Sequence, residues 1–349
     1  MKKRNLSAIT KIHNFYSSKL RHKKIKKIYL KFKRTLDKEA KNRFCVALSG
    51  GPDSLALAFL AKYYSIEKKI KIYYFIVDHK LRKESTREAK LTKNKLKKYQ
   101  INCKILTWKE KKNFSNLQSQ ARDKRYELIF NECEKKNIDI VLTAHHKNDL
   151  FENFFIRLLR GSGLKGLSSF NKTKAKINKL QNINILRPLL NVSKKDLMFI
   201  SNSTFKFFIE DPSNDNSYFL RIKLRKLIKE FNEFGLNFEK LKITLENLHK
   251  SNLAIEFYVK NNIENNTKFL KYKKLYILRE NFFNNPDEIV FRSISELIHK
   301  IGNKKKYTRG NKIMNLMKYL NSSSNIKKTT LSGCIFEKLN KSVIISREN

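Results

Sequence analysis

Ser49-Gly50-Gly51-Pro52-Asp53-Ser54 is the stretch whose reading decides the fold. It follows a short apolar run, residues 44–48, and leads into a helix-like segment over 54–64. A turn between a buried strand and a helix points bare backbone N–H groups outward, backed by the positive end of the helix dipole. Glycines there let an anion approach the backbone without meeting a Cβ. Ser49 and Ser54 add hydroxyl donors, so Ser49, Gly50, Gly51, Pro52, Asp53 and Ser54 together are expected to hold phosphates. Asp53 is out of place beside bare phosphates, and a Mg2+ or another cation is expected next to it. A plain capped turn also favours Asp and Ser. The position after a strand of an open sheet, where ligands bind, favours the functional reading.

Outward from this turn the chain alternates. Strand patterns over 70–77, 101–108, 138–143 and 183–186 are separated by helical patterns over 86–99, 116–136 and 149–160. Such alternation predicts an α/β fold, a doubly wound parallel sheet covered by helices on both faces. Residues 1–40 read as a basic helical segment in which Ile28, Phe32 and Leu36 recur at helical spacing. The pattern changes near 225. Phe231, Phe234, Leu236, Phe238, Leu241 and Leu245 form a partial helical stripe, and short strands over 330–332, 334–339 and 342–345 follow. The expected organisation is 1–40, a nucleotide-binding domain over 41–225, and a smaller helical then α+β region over 226–349.

Five of the nine glycines fall in two clusters, the second being Gly161, Gly163 and Gly166. That second cluster fits the spacing of a dinucleotide-binding fingerprint, which needs a strand before it. Leu150, Phe154 and Leu158, with Phe151, Phe155 and Leu159, recur every four residues ahead of it. The cluster is therefore read as a loop ending a helix.

Lys+Arg number 77 against 31 Asp+Glu, a formal charge of +46 over 349 residues. Abundant Lys, Asn and Ile fit codon bias in part, but the shortage of acids favours a polyanionic partner, nucleic acid above all. The four cysteines, Cys45, Cys103, Cys133 and Cys334, form no close pair, which disfavours a zinc site or redox dithiol and suggests a reducing compartment. No apolar run approaches the roughly 18 residues of a membrane span, so a cytoplasmic protein without a membrane partner is expected. The N-terminus is basic, with Asp37 as its first acid. It is read as a mature RNA-contacting helix in preference to a transit peptide.

Strand–SGGxDS–helix resembles the signature of the PP-loop ATP pyrophosphatases, which cleave ATP between its α and β phosphates. Further segments resemble one branch, the tRNA(Ile)-lysidine synthetases. They are Val77-Asp78-His79-Lys80-Leu81-Arg82, Gln118-Ser119-Gln120-Ala121-Arg122, Thr143-Ala144-His145-His146-Lys147-Asn148-Asp149 with Glu152, and Arg157-Leu158-Leu159-Arg160. Arg187-Pro188-Leu189-Leu190 and Asp211-Pro212-Ser213-Asn214 follow. The likeness is dense over 43–225. Beyond it rests on Ser332-Gly333-Cys334 and Ser346-Arg347-Glu348, the pattern of a short form without an additional terminal domain. Asn148 and Asn153 depart from the Asp and Thr usual in the family.

The resemblance implies a two-step reaction. ATP adenylates O2 of the wobble cytidine in a CAU-anticodon tRNA(Ile), and free L-lysine then displaces AMP. It implies ATP and Mg2+ as cofactors, with Asp78 joining the 49–54 turn in binding ATP. Asp53 would orient metal or the incoming amine. Arg122 would hold the α-phosphate or the cytosine carbonyl, and His145 would handle a proton. Asp149 and Glu152, three apart on one helix face, would bind the lysine ammonium, or Asp149 would join Asp53 as a metal ligand. Arg157, Arg160, Arg221 and Arg225 would meet RNA phosphates. Asp211-Pro212-Ser213-Asn214 reads as a turn and Cys45 as core. A homodimer is compatible with the sequence. The alternatives are a PP-loop tRNA thiolation enzyme and a non-catalytic basic RNA-binding protein.

Overall fold

Residues 8–39, 41, 43–110, 117–169, 174–176, 183–210, 220–302, 308–322 and 326–348 are described by the structure, a computed structural model. The chain forms two compact units, Met1–Leu245 and Glu246–Asn349.

In the first unit the elements run α1 (Ala8–Leu20), α2 (Lys23–Asp37), β1 (Arg43–Leu48), α3 (Pro52–Lys68), β2 (Lys71–Asp78), α4 (Ser85–Lys97) and β3 (Cys103–Thr107). Then come α5 (Leu117–Glu134), β4 (Ile140–Leu142), α6 (Lys147–Leu159), α7 (Leu164–Ser168), β5 (Lys174–Lys176), β6 (Asn184–Leu186), α8 (Lys194–Thr204) and α9 (Leu220–Glu233). The sheet order is β3-β2-β1-β4-β6-β5. Five strands are parallel, and β5 adds an antiparallel edge against β6. That edge was not expected, because Lys174-Ala175-Lys176 carries no apolar run.

Alternation along β1 explains the layering. Phe44, Val46 and Leu48 point into one core with α1, α2, α3 and α8, while Cys45 points into the other with Tyr126, Ile129, Phe130 and Cys133 of α5. Right-handed crossovers through α3 and α4 carry the chain outward from β1 to β3. The crossover through α5 returns it to the other side of β1, where Cys45 pairs Val141 and Val46 pairs Leu142. The order therefore reverses between β1 and β4, and a crevice opens beyond their carboxyl ends.

The N-terminal segment folds onto this sheet. Ile25, Ile28, Tyr29, Phe32 and Leu36 of α2 are buried, so its stripe is core and its lysines face outward. The sequence pattern changes near 225, but the compact units divide further along because α9 packs on α6. Phe155 stacks on Phe231 with ring centroids 5.2 Å apart, and Leu150, Phe151, Leu190, Leu241 and Leu245 share a small core.

The chain enters the second unit along α10 (Phe238–Asn266). It continues with β7 (Thr267–Leu270), β8 (Leu275–Leu278), α11 (Asp287–Ile301), α12 (Gly310–Ser322), β9 (Ile326–Leu331), β10 (Cys334–Leu339) and β11 (Ser342–Arg347). Its sheet order is β7-β8-β11-β10-β9, all antiparallel, around a core including Ile294, Leu297, Phe336 and Ile345. The β7–β8 hairpin went unpredicted, since both strands are short and one adjoins a long helix. Among the described residues no helix is long and apolar enough to cross a membrane.

Candidate active site

The turn after β1 has the form that its composition predicts. Gly50 sits at φ 84°, and a Cβ there would lie 2.8 Å from Thr92 Oγ1 and 3.1 Å from Ile209 Cγ1. Its carbonyl accepts from Ile209 N at 2.9 Å. Gly51 caps α3 and Pro52 opens it, which suits a residue with no N–H to donate. Ser54 Oγ donates to Gly51 O at 2.9 Å and accepts from Ser49 N at 3.3 Å, locking the turn from inside. The Ser49 hydroxyl lies 3.3 Å from the Ser54 hydroxyl.

Asp53 stands in the first turn of α3. Its Oδ2 is 3.5 Å from His146 Nε2, and its Oδ1 is buried with no hydrogen-bond partner among the described residues. A carboxylate oxygen left this way needs a cation or a donor from a ligand. Among the described residues no group of three or more His, Cys, Asp or Glu side chains could hold a metal. Asp53 nonetheless fits a Mg2+ that arrives with ATP, since that ion takes one or two carboxylates and completes its shell with phosphate oxygens and water.

The segment after β4 supplies the opposite wall. His146 caps α6: its Nδ1 accepts from Asn148 N at 3.2 Å, while Asp149 Oδ2 accepts from His146 N at 2.9 Å. This reciprocal pair fixes the ring so that Nε2 faces Asp53, with Asp149 Oδ2 3.7 Å away. Burial opposes the imidazolium, but the hydrogen bond to Asp53 and the charges of Asp149 and Asp53 outweigh it, so the His146 pKa is raised. Its neighbour behaves oppositely. His145 Nδ1 lies 2.8 Å from Thr143 Oγ1. Desolvation and then the positive charges of Arg187 and Arg122 hold the His145 pKa well below the usual value. Proton handling had been expected of His145. Burial and the neighbouring arginines disfavour a charge on His145, whereas His146 is the histidine that faces Asp53.

Other expected site residues are engaged differently. Glu152 is 3% exposed and accepts from Arg225 Nε at 2.6 Å. That pairing ties together a residue expected at lysine and one expected at RNA. A buried carboxylate needs such a partner, and α9 brings one that local spacing could not reveal. Asp78, 2% exposed, accepts from Lys80 N, Ser85 Oγ and Thr86 Oγ1 at 3.0, 2.9 and 2.7 Å. Desolvation alone would raise its pKa, but these bonds lower it. Its carboxylate shapes the loop after β2. Arg157 donates to Asn153 Oδ1 at 2.7 Å and Gly166 O at 2.8 Å, so it braces the second glycine loop. Arg122 is exposed over the Tyr126 ring, 5.5 Å from its centroid, and Arg160 is exposed at the end of α6. The Arg221 side chain and Asp211-Pro212-Ser213-Asn214 lie outside the described residues.

Arg187, in the Arg187-Pro188-Leu189-Leu190 segment, has no role assigned from the sequence alone. It is 4% exposed, and burial lowers its pKa, offset in part by Tyr126 and reinforced by Arg122 and Arg157. Its signal was its position just past β6, at the same carboxyl end of the parallel strands as the 49–54 turn. The crevice thus has an acidic wall at Asp53 and Asp149 and a basic one at Arg122, Arg157 and Arg187. An anion would relieve the second and a cation the first.

Known proteins resemble this chain over most of its length. A family model for the PP-loop domain matches residues 22–231. The tRNA(Ile)-lysidine synthase of Orientia tsutsugamushi (strain Boryong) is 34% identical over 318 residues, 89% of this chain and 70% of the relative. That of Rickettsia typhi (strain ATCC VR-144 / Wilmington) is 32% identical over 315 residues, covering 88% and 70%. Among solved structures, the U34-tRNA thiolase NcsA from Methanococcus maripaludis matches with a TM-score of 0.54 at 19% identity, covering 64% of this chain and 78% of that one. At that identity the likeness concerns the fold alone.

Proposed function

The chain belongs to the PP-loop family of tRNA(Ile)-lysidine synthases, and from that membership we propose that its switch-point crevice adenylates the wobble cytidine of a CAU-anticodon tRNA(Ile) and then joins it to free L-lysine. The protein is an ATP-dependent ligase of tRNA that forms a carbon–nitrogen bond. The observation that carries the finer reading is Asp53, whose unpartnered, buried oxygen stands beside a glycine turn built for phosphate.

In the first step the cytidine O2 attacks the α-phosphorus of ATP, and the bond to the β-phosphate breaks to release pyrophosphate. Backbone N–H groups of the 49–54 turn and the start of α3 stabilise the charge that builds there. Arg122 and Arg187 offset charge on the phosphates or on the tRNA backbone. Bound Mg2+ would supply further charge neutralisation, with Asp53 as its protein ligand. In the second step the lysine ε-amine attacks C2, the C2–O bond breaks, and AMP leaves. The amine sheds a proton, for which Asp53 and the adjoining His146 are the nearest acceptor and relay. Such groups contribute about 10²–10⁴ in rate. Asp149 is the remaining carboxylate for the lysine ammonium, because Glu152 is neutralised by Arg225.

Sulfur transfer gains no support from the cysteines, all four of which are free and buried. Cys45 and Cys133 share the core under α5, and Cys334 lies in the second unit's core. A purely RNA-binding role leaves the intact turn and Asp53 without purpose. The surplus of basic side chains suits a tRNA partner in the cytoplasm.

The test is incorporation of labelled lysine into unmodified CAU-anticodon tRNA(Ile), with and without ATP, using elongator methionine tRNA as control. Incorporation is expected only with ATP and the isoleucine tRNA. AMP release without lysine incorporation would retain the ATP chemistry and discard lysine as nucleophile.

A further inference from the structure

At the edge of the parallel sheet opposite the crevice, the end of α3 and the starts of β2 and β3 surround a cavity of about 370 Å³. Lys62, Ser65, Lys69, Lys71, Tyr74 and Asn102 line it, over a floor that includes Ile72. None of these residues takes part in the site described above.

Two groups there lack what they need. The Tyr74 side chain is 4% exposed, and its hydroxyl is buried with no hydrogen-bond partner among the described residues. An unmet buried hydroxyl costs roughly 1–3 kcal/mol. Lys62 is half-buried, and its pKa is lowered by desolvation with no acidic neighbour acting against it. Glu67, the acid on this stretch of α3, is already bonded by Lys33 and Tyr29. Lys69 is exposed at the rim, while Lys71, also exposed, holds its ammonium over the Tyr73 ring. Both deficits have one remedy, a ligand that carries negative charge and several acceptor oxygens.

We infer that this cavity is a second anion site, built to take a phosphate or pyrophosphate group on the side of the sheet away from the catalytic crevice. Lysine ammoniums are compact point charges that converge on a tetrahedral anion, whereas a planar carboxylate is better met by the fork of arginine. The volume falls in the range of about 300–1,000 Å³ typical of small-molecule sites, enough for an oligophosphate or a nucleotide. The Tyr74 hydroxyl donates to a phosphate oxygen at the base, and Lys62 pairs with it from α3. The group comes either from a free phosphate compound or from the backbone of bound RNA.

Calorimetric titration of the full chain with pyrophosphate, the catalytic crevice first saturated with a non-hydrolysable ATP analogue, tests this. One further binding event is expected in the wild-type protein and in Asp53→Ala. It should weaken about tenfold in Lys62→Gln and in Tyr74→Phe, the loss expected for a hydrogen bond to a charged group. Lys62 is only half-buried, so Lys62→Gln carries the test if Tyr74→Phe folds poorly. Filter binding of tRNA to Lys62→Gln separates the sources. A matching loss of tRNA affinity, with pyrophosphate competing, assigns the site to RNA phosphate, and unchanged tRNA affinity assigns it to a free anion. No pyrophosphate binding with the crevice filled, or binding that Lys62→Gln and Lys69→Gln leave unaltered, would overturn the inference.

Discussion

The loop at Gly50–Gly51 and the loop from Gly161 to Gly166 look alike in sequence and differ in everything that surrounds them. Each contains a glycine at positive φ, Gly50 at 84° and Gly161 at 64°. Backbone freedom therefore does not separate them. The first loop leaves a buried strand at the sheet's switch point and opens a 17-residue helix. The second leaves α6 and runs into the five-residue α7, where Gly166 O accepts from Arg157. Around Gly50 a side chain would collide with Thr92 and Ile209, while around Gly161 and Gly163 nothing lies within 4 Å. Glycine spacing alone thus carries little functional information, and the element before the loop carries most of it.

The sharpest way to break this contrast is Asp53→Ala. Lysine incorporation should fall by roughly 10³-fold, with circular dichroism and thermal midpoint close to wild type. Near-normal incorporation would remove the first loop's claim to chemistry.

His146→Asn is next. Asparagine keeps the helix cap and loses the ring nitrogen facing Asp53, so activity should drop about 10²-fold with the fold retained. Its pH behaviour has a definite sign. The folded-state pKa of His146 is raised, so its stabilisation is complete below the unfolded imidazole value of about 6.5 and is lost as pH rises through the folded value. The lowered pKa of His145 acts in reverse: its contribution is present above about 6.5 and is lost as pH falls. Denaturant unfolding should show the stability gap between wild type and His146→Asn widening as pH falls toward about 5.5. A constant gap would mean that His146 does not titrate against Asp53.

Smaller effects distinguish the loops directly. Gly50→Ala should cost roughly 1–3 kcal/mol in urea unfolding, together with most activity, because strain and crowding coincide there. Gly161→Ala should cost about 1–2 kcal/mol for the left-handed backbone alone, and activity should survive. Gly163→Ala should stay within about 0.5 kcal/mol of wild type. Equal losses of activity across the three would erase the distinction.

Much of this was legible in the chain. The 49–54 turn, Asp53 and the α/β alternation follow from local rules of strand, turn and helix, and those rules act over a few residues. What local rules did not show was which partners the polar side chains meet. Glu152 meets Arg225, 73 residues away. Asp78 is consumed by a loop whose serine and threonine only folding brings round. The two adjacent histidines differ in surroundings, with Asp53 facing one and the charge of Arg187 acting on the other. Strands of three or four residues, β5, β7 and β8, carry too few side chains to show a period.

By itself, the sequence determined the glycine turn, the alternation of the parallel strands with helices, the excess of basic charge and the family, because backbone conformation and charge are properties of local composition. Tertiary structure decided which histidine faces Asp53, which carboxylate oxygen lies buried without a partner among the described residues, and where a half-buried lysine and a buried tyrosine line one cavity. Those outcomes depend on burial and on Coulombic partners, and both exist only once distant segments have been packed side by side.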